Sequence, residues 1–289
     1  MTIAYVILHY LAGEETIECA RSILEATKDS AHDTRIVIVD NGSPNDSGEL
    51  LEQTFGEEPQ ITLLHTGENL GFARGNNVGF AYAKQTLQAD FIVMLNNDTL
   101  LQQRDFNEIL VKKYTQTGYG VLGPDIVTAD GKHQNPGSKQ SWSLKELRML
   151  RLKRRVRNLL TWFGLDGVIS RLIEARKEIY RAETLPGDVE HTILHGACWI
   201  FSPKYLGKFD GLCPDTFLYM EEDILKLYAD IYGFSMRYTD QLRIYHKEDI
   251  ATNMTQGSTN KKVRRKNRYI IESSLVYSRI KKENLKNSQ

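Results

Sequence analysis

The stretch FIVMLNNDTLL, residues 91–101, places two asparagines and an aspartate at the point where an apolar run ends. A short apolar run bounded by polar residues is typical of a strand that helices cover on both faces, as in a parallel sheet. Ligands of open α/β sheets bind at the carboxyl ends of such strands. Asp98 is therefore a candidate functional residue, although an aspartate in this position is also a common turn residue.

Two earlier segments, IAYVILHY (3–10) and RIVIVDNGS (35–43), have the same design, with an apolar run that turns polar at its carboxyl end. Helical spacing in ETIECARSILEAT (15–27) and around NNVGFAYAKQTL (76–87) separates the strands, so the pattern predicts βαβα order and a parallel sheet. Singly, an aspartate before Asn-Gly is more often a turn residue, but the shared edge favours a site. We expect one crevice to be lined by His9, Tyr10, Asp40 and Asp98.

Composition limits the class of protein. With 289 residues, 41% hydrophobic and 26% charged, the chain can bury a sizeable core as one large domain or two joined ones. The 37 basic residues balance the 37 acidic ones, so overall charge does not indicate a nucleic-acid partner. Three cysteines without a CxxC pair favour a reducing compartment. With no secretory signal pattern and no apolar run long enough to span a membrane, we expect a cytoplasmic protein.

The glycines of NLGFARGNNVGFA (69–81) are spaced four residues apart, at Gly71, Gly75 and Gly79. Neither a Walker loop nor a GxGxxG fingerprint is present. One interpretation is a loop that enters a helix whose glycine stripe packs closely on the sheet. The other adds a nucleotide or its diphosphate near the helix start, where backbone N–H groups favour anions. The side chains that would reach it are Asn69, Arg74 and Asn76.

An acidic cluster opens a predicted helix in DTFLYMEEDILKLYADIYG (215–233), where Glu221, Glu222 and Asp223 fall in the first turn. Acids in this position often only stabilise the helix dipole, by roughly 0.3–1 kcal/mol each. The alternative is a general base, because the dipole keeps a carboxylate ionised near neutral pH and ready to accept a proton. The residue pattern alone leaves both interpretations open.

The ordered set VILHY, VIVDNGS, NLGFARGNNVG, LNNDT, HGACWIF, FLYMEED and IYH resembles the family-2 inverting glycosyltransferases, particularly the bacterial rhamnosyltransferase-like branch that builds surface polysaccharides. The resemblance covers about residues 3–250. It implies an α/β protein of GT-A fold, with a Rossmann-like, mostly parallel sheet flanked by helices. To this fold the basic stretches of the sequence add a basic helical insertion and a C-terminal helical extension. The resemblance also implies a nucleotide-sugar donor, a divalent metal and a hydroxyl acceptor.

The resemblance assigns the donor and metal sites. NND stands where the family has its DxD motif, so Asp98 becomes a metal and diphosphate contact, while Asn96 departs from the motif and lowers the negative charge. His246 matches a position that can add a metal or phosphate contact, although a histidine after a strand is more often structural. Hard oxygen ligands suit Mg²⁺ or Mn²⁺. The predicted donor-binding residues are His9, Tyr10, Asp40, Asn69, Gly71, Arg74, Asn76, Asn97 and Asp98.

The family's catalytic base lies in an acidic pair that opens the acceptor-side helix. Here we choose Glu222, with Glu221 and Asp223 as alternatives in register. Trp199 can offer a flat apolar face to a sugar ring, or it can be ordinary core. The predicted acceptor-binding residues are His195, Gly196 and Trp199.

These assignments predict a metal-dependent enzyme that transfers a sugar to a glycan or lipid-linked glycan. dTDP-rhamnose is the favoured donor and a UDP-hexose the next. The alternatives are a sugar-1-phosphate nucleotidyltransferase, disfavoured because no glycine-rich triphosphate loop is seen, and a noncatalytic nucleotide-sugar-binding protein. The predicted segments are a nucleotide-sugar-binding half (1–130), a loop and basic helical insertion (131–188), an acceptor-binding half of the same domain (189–250) and a basic helical extension (251–289).

A basic amphipathic segment, LKELRMLRLKRRVRNLLTWF (144–163), and the basic run KKVRRKNR (261–268) predict docking on an anionic membrane surface at the inner face of the cell membrane. The alternatives are a helix that covers its own core and a solvated tail, with nucleic acid a lesser option because no binding motif accompanies the charge. The apolar stripe is Met149, Leu152, Val156, Leu159 and Phe163. The cations placed elsewhere around the helix are Arg148, Arg151, Arg154 and Arg155.

Overall fold

The described residues form one nine-stranded sheet. The computed structural model describes residues 1–162, 183–248 and 259–287. The strands are β1 (Thr2–His9), β2 (Asp33–Asp40), β3 (Ile61–His65), β4 (Phe91–Asn96), β5 (Thr99–Leu100), β6 (Val121–Thr128), β7 (Val189–Glu190), β8 (Cys198–Phe201) and β9 (Met236–His246). The helices are α1 (Gly13–Thr27), α2 (Ser47–Phe55), α3 (Phe72–Gln85), α4 (Phe106–Thr117), α5 (Leu144–Trp162), α6 (Pro203–Leu206), α7 (Glu221–Tyr232) and α8 (Thr259–Asn287).

The strand order is β3-β2-β1-β4-β8-β6-β9-β5, with β7 paired to β9. Neighbours among β3, β2, β1 and β4 run parallel, which confirms the βαβα order predicted for the first hundred residues. β8 runs antiparallel to both β4 and β6, while β6 and β9 are parallel. Because β6 belongs to the first half and pairs with β8 and β9, the sheet crosses the predicted boundary near residue 130.

Both faces of the first strands are buried, as their continuous apolar sequence predicts. Ile3, Tyr5 and Ile7 of β1 point into the core beneath α1, whereas Ala4 and Val6 point into the core beneath α3. Full burial of a valine or isoleucine contributes about 1.5–3 kcal/mol, so these runs hold the helices to the sheet.

The glycine stripe of α3 lets this helix approach the sheet closely. A Cβ at Gly75 would lie 2.7 Å from Leu8 Cδ1, and one at Gly79 would lie 2.5 Å from Val6 Cγ1. Both distances are shorter than carbon atoms tolerate, so larger residues would push α3 away from the sheet. The contacts support the packing interpretation of this stripe.

The carboxyl ends of the parallel strands meet at one edge. His9 pairs in register with Asp40, and Leu8 with Asn96, so the polar residues that follow β1, β2 and β4 are neighbours. β5 pairs antiparallel with the end of β9, with Thr99 opposite His246. This pairing adds a histidine from the far end of the chain to the same edge.

The basic amphipathic segment 144–163 forms α5, and its last residue, Phe163, lies outside the described residues. Further along the chain, the loop between β7 and β8 contains His195 and Gly196. A small apolar cluster of Leu147, Ile224 and Tyr277 joins α5, α7 and α8.

Within the described ranges, every helix is too short or too polar to cross a membrane.

Candidate active site

Asp98 and His246 form the centre of the site. The Asp98 carboxylate follows β4 and is only 9% exposed, and its Oδ1 lies 3.2 Å from Nε2 of His246. The contact lacks hydrogen-bond geometry, and Oδ1 has no hydrogen-bond partner among the described residues. A buried carboxylate oxygen without a partner is costly, so this atom is suited to receive a ligand.

The orientation of the His246 ring is set from behind. Nδ1 of His246 lies 2.8 Å from Oε1 of Gln134, whose own amide nitrogen donates to Oε1 of Glu248 at 2.6 Å. Because the Gln134 amide donates to Glu248, its oxygen accepts from Nδ1–H of the histidine. Nε2 is therefore the ring nitrogen that faces Asp98 and can bind a metal.

Asp98 and His246 fit a divalent cation that is shared with a phosphate. The described part of the chain contains no group of three or more His, Cys, Asp or Glu side chains arranged to hold a metal. Mg²⁺ and Mn²⁺ often bind through one or two protein ligands and complete their shell with substrate phosphate and water. The partnerless oxygen of Asp98 and the lone pair of His246 match that mode.

The acidic helix start meets the metal side through the loop before β8. Oε1 of Glu222 accepts the backbone N–H of Gly196 at 2.5 Å. The backbone N–H of His195 donates to Oδ1 of Asn135 at 2.8 Å, and the His195 ring centre lies 5.7 Å from that of His246. Glu222 is thus connected to His246 through a short, anchored loop.

The other two acids of the cluster face different surroundings. Glu221 is 8% exposed, burial raises its pKa to about 7, and its Oε1 has no hydrogen-bond partner within residues 1–162, 183–248 and 259–287. Asp223 accepts a hydrogen bond from Nε1 of Trp142 at 2.8 Å, which ties the segment before α5 to α7. Glu222 and Asp223 are both half-buried, and Glu222 is the one that contacts the Gly196 loop.

The backbone before α7 adopts a sparsely populated conformation. Tyr219 and Met220 have φ angles of 73° and 68°, and side chains make such left-handed residues unfavourable by about 1–3 kcal/mol each. The ring of Phe217 stacks on Tyr269 of α8 with centres 4.8 Å apart. Packing against α8 therefore supports the strained entry to α7.

Asp40 and Tyr10 lie at the neighbouring strand ends. Oδ1 of Asp40 accepts the backbone N–H of Ser43 at 3.1 Å, and Oδ2 lies 3.4 Å from Nδ1 of His65. The hydrogen bond to Glu52 is the main cause that raises the pKa of His65. Tyr10 is half-buried.

The glycine loop joins the donor side to the acidic helix. Asn69 Oδ1 accepts the backbone N–H of Gly71 at 2.9 Å, which shapes the loop. Gly71 has φ +83°, and a Cβ there would lie 2.4 Å from the carbonyl oxygen of Phe217. Nε of the exposed Arg74 donates to the carbonyl of Pro214 at 2.8 Å. These contacts hold the segment that leads into α7.

The predicted direct contact of His9 with a donor is wrong. Its side chain has no exposed surface, and its ring nitrogens lie 2.8 Å from the hydroxyls of Thr16 and Ser47. Burial lowers the pKa of His9 to about 4, which keeps the ring neutral. His9 supports the edge of the sheet from inside.

Two further predicted contacts are corrected by burial. Asn76 has no exposed surface and donates to the carbonyl of Phe72 in its own helix, so it does not reach a diphosphate. Trp199 is also fully buried, with Nε1 donating to the carbonyl of Leu194, and it cannot offer a face to a sugar. Asn97 is largely buried, and its amide donates to Thr16 Oγ1 at 3.1 Å.

Three polar residues of the site could not be predicted from the sequence. Gln134 and Asn135 lie in the turn-rich stretch 130–138, and each holds one of the two site histidines. Asn41 accepts the backbone N–H of Leu70 at 3.0 Å and thereby ties the loop after β2 to the glycine loop. Their residue types suggest only turns, because the contacts span long distances in sequence.

Known proteins resemble this chain in sequence and in fold. Residues 5–182 match the model of glycosyl transferase family 2. Glycosyltransferase GlyG of Streptococcus pneumoniae is 27% identical over 101 residues, 35% of this chain and 31% of that protein. The low-salt glycan biosynthesis hexosyltransferase Agl10 of Haloferax volcanii is 24% identical over 186 residues, 64% of this chain and 50% of that protein. The chain thus spans half or less of these curated relatives.

The fold has a solved counterpart in residues 1–349 of TarS from S. aureus. The two superpose with a TM-score of 0.52 at 12% identity, over 86% of this chain and 60% of the TarS chain. At that identity the likeness concerns the fold alone, and it agrees with the GT-A architecture expected from the sequence. Since the family model matches more than half of its residues, the chain belongs to glycosyltransferase family 2.

Proposed function

We propose that the protein is a metal-dependent inverting glycosyltransferase that moves a sugar from a nucleotide-sugar donor to a hydroxyl of a glycan or lipid-linked glycan in cell-surface polysaccharide synthesis. One observation carries the proposal. Asp98, His246 and Glu222 come from distant segments, yet the contacts of the His195–Gly196 loop join them at one sheet edge. A metal and diphosphate contact and a base are the two groups that this transfer needs on opposite sides of the sugar.

The donor is dTDP-rhamnose, with a UDP-hexose as the second choice, because the motifs are similar to those of the rhamnosyltransferase-like branch. Tyr10 and Asp40 bind the base and ribose. Asn69, Gly71 and Arg74 shape the neighbouring loop. The similarity to Agl10, a hexosyltransferase of low-salt glycan biosynthesis, supports transfer of a hexose-type sugar to a glycan.

The metal side of the site assists departure of the diphosphate leaving group. Asp98 and His246 would hold Mg²⁺ or Mn²⁺, which offsets the charge that develops on the leaving diphosphate when bound. Gln134 keeps the Nε2 lone pair of His246 directed at Asp98. The Asp98 oxygen that lacks a hydrogen-bond partner among the described residues supports this role.

Glu222 acts as the general base. Its carboxylate takes the proton of the acceptor hydroxyl as that oxygen forms a bond to the anomeric carbon, on the face opposite the diphosphate. The bond from the anomeric carbon to the diphosphate breaks with its electron pair on the diphosphate, so the configuration inverts. The hydrogen bond from Gly196 N–H orients the carboxylate. Glu221, which burial keeps partly protonated near neutral pH, adds less negative charge beside it than a free carboxylate would.

A screen of nucleotide-sugars for thermal stabilisation, with Mn²⁺ or with a chelator, tests the donor. A ligand at a hundred times its Kd stabilises the folded state by about 2.7 kcal/mol, which is a measurable shift in Tm. We expect the largest Mn²⁺-dependent shift with dTDP-rhamnose. Stabilisation by a UDP-hexose alone would move the proposal to the second donor, and no shift with any nucleotide-sugar would contradict it.

Product analysis separates the reaction from its rivals. A glycosyltransferase releases nucleoside diphosphate from the donor, a nucleotidyltransferase releases pyrophosphate from a nucleoside triphosphate, and a binding protein returns the donor intact. If the acceptor is lipid-linked, the enzyme works at the inner face of the cell membrane, next to an anionic lipid surface.

A further inference from the structure

Charge is strongly separated between two helices and the rest of the protein. α5 and α8 contain 17 of the 37 basic residues and only 3 of the 37 acidic ones. The remainder of the chain therefore carries a matching excess of acids, since the total charge is zero. A molecule with this charge distribution turns its basic side towards an anionic surface and keeps its acidic side away from it.

The apolar stripe of α5 faces outwards. Met149, Leu152, Val156 and Leu159 are 49%, 56%, 43% and 56% exposed. The opposite side of the helix is the buried one, where Leu147 contacts α7 and α8. In the described residues α5 therefore does not use this stripe to cover its own core, and about half of the surface of each of these side chains meets solvent.

Cations border the stripe on both sides. At 100° per residue, Arg148 and Arg155 lie along one border of the stripe and Lys153 along the other, and all three are exposed. An apolar stripe between basic borders is the pattern of a helix that lies in a membrane interface.

Two arginines that the sequence placed among the membrane-facing cations have another role. Nη1 of Arg151 donates to Ser278 Oγ and Nη1 of Arg154 donates to Asn267 Oδ1, each at 3.0 Å. These bonds fasten α5 to α8. They leave the outward stripe and its borders on a helix that is firmly attached to the protein.

A basic cavity lies at the end of α5, on the face of this helix that turns towards α8. It has a volume of about 780 Å³, and its lining includes Trp162 of α5 and four cations of α8. Trp162 is 65% exposed, and tryptophan prefers the level of lipid headgroups. Arginine and lysine bind phosphate groups through charge-assisted hydrogen bonds. The four cations are Lys261, Arg264, Arg265 and Arg268.

We propose that α5 lies in the surface of an anionic phospholipid bilayer, with its apolar stripe among the upper acyl chains and lipid phosphates at the cations that border the stripe. Charge complementarity selects this occupant, because a second copy of the chain would bring two strongly basic surfaces together. Leu147 of α5 packs with Ile224 of α7, so docking would also set the position of Glu222 relative to the membrane. The functional meaning of this contact rests on the proposed transfer to a lipid-linked acceptor.

Co-sedimentation of the full chain with vesicles tests the proposal. We expect binding to vesicles of phosphatidylglycerol and phosphatidylcholine, weaker binding at high salt, and negligible binding to phosphatidylcholine alone. Replacement of Arg148, Lys153 and Arg155 by serine should weaken binding about a hundredfold, at about a fivefold loss for each cation. The variant Leu152→Ser with Leu159→Ser should weaken it about tenfold or more.

A matched control removes three exposed cations from the acidic body of the protein, Lys28, Arg104 and Lys132, and should bind like the wild type. Equal binding of all variants, equal binding to both vesicle types, or negligible binding to both would overturn the proposal. So would a concentration-dependent dimer that the leucine variant dissolves, because the stripe would then belong to self-association. No donor or acceptor enters this assay, so its failure is separate from failure of the proposed transfer.

Discussion

The two sides of the cleft are built on different scaffolds. On the metal side, named for the cation proposed there, Asp98 follows β4 and His246 ends β9, and the pairing of Thr99 with His246 in the β5–β9 ladder brings the two side chains within 3.2 Å. On the base side, named for the role proposed for Glu222, this residue lies in the first turn of α7, and one hydrogen bond to Gly196 connects it with the sheet. The sheet carries the first pair, whereas a helix end carries the proposed base.

The base side depends on packing at its back. α8 supports the segment that leads into α7 by the stacking of Tyr269 on Phe217 and by a hydrogen bond from Ser273 Oγ to the carbonyl of Leu218 at 3.1 Å. The backbone ladder gives the metal side little freedom to shift. We therefore expect substitutions in the helices to alter acceptor binding, and substitutions at the sheet edge to alter binding of the donor and the metal.

The largest effect is expected on the metal side. Asp98→Asn removes the carboxylate charge and keeps the shape, so metal-dependent transfer should be lost while the thermal melt is unchanged. Transfer assays over a range of Mn²⁺ concentrations measure it. Asp130→Asn, at an exposed carboxylate in the turn after β6, should retain activity. If Mn²⁺ stimulated Asp98→Asn as strongly as the wild type, Asp98 would not be a metal ligand.

On the base side, Glu222→Gln should lower kcat by roughly 10²–10⁴-fold and leave donor binding intact, because the amide oxygen can still accept from Gly196 N–H but the side chain cannot take a proton. Asp223→Asn is the neighbouring control, since an amide oxygen can still accept from Trp142 Nε1. A loss confined to Glu221→Gln or Asp223→Asn would shift the base within the cluster. Full activity in all three variants would mean that the three acids only stabilise the start of α7.

Glu221 should make the base side less stable at high pH. Burial raises its pKa from 4.5 to about 7, so between these values the folded state binds the proton more tightly than the unfolded state does. Stability therefore falls as pH rises through this window, by about 3 kcal/mol in total. Urea unfolding of Glu221→Gln should show greater stability than the wild type at pH 8 and a difference that shrinks towards pH 5. A constant difference across this range would argue against the raised pKa.

The orientation of His246 can be tested through its support. Gln134→Leu removes the acceptor for Nδ1–H, and loss of such outer partners weakens metal binding by about 10–100-fold. Titration calorimetry with Mn²⁺ and a nucleoside diphosphate measures this affinity. Gln103→Leu removes an exposed side-chain contact to the carbonyl of Gln241 and serves as the control. Unchanged Mn²⁺ affinity in Gln134→Leu would mean that His246 is not a ligand.

The smallest effect concerns the support of α7 by α8. Tyr269→Ala removes the stack on Phe217, and an aromatic pair of this kind contributes about 0.5–1.5 kcal/mol. The acceptor KM should rise about threefold to tenfold while Mn²⁺ affinity stays constant, and Tyr269→Phe should restore the KM. An equal change in acceptor KM and in Mn²⁺ affinity would show that the two sides of the cleft do not act separately.

Prediction from sequence succeeded best where one segment contains all the needed information. The apolar runs before Asp40 and Asp98 predicted strands whose carboxyl ends share an edge, and the register of β1 with its neighbours bears this out. The helix Glu221–Tyr232 also has the three acids in its first turn, as predicted. Prediction of ligand contacts failed for His9, Asn76 and Trp199, because residue type and position along a strand or helix do not reveal which face the core covers.

By itself, the sequence determined the order of strands and helices, the family and the segments that supply the acids of the cleft. Hydrophobic periodicity and the order of motifs are properties of the linear sequence. Only the tertiary structure decided that Gln134 holds His246, that Glu222 contacts Gly196, and that the stripe of α5 faces outwards. The physical reason is that such contacts join residues tens to more than a hundred positions apart. Packing of the sheet and helices selects them, and no local pattern records which partner is chosen.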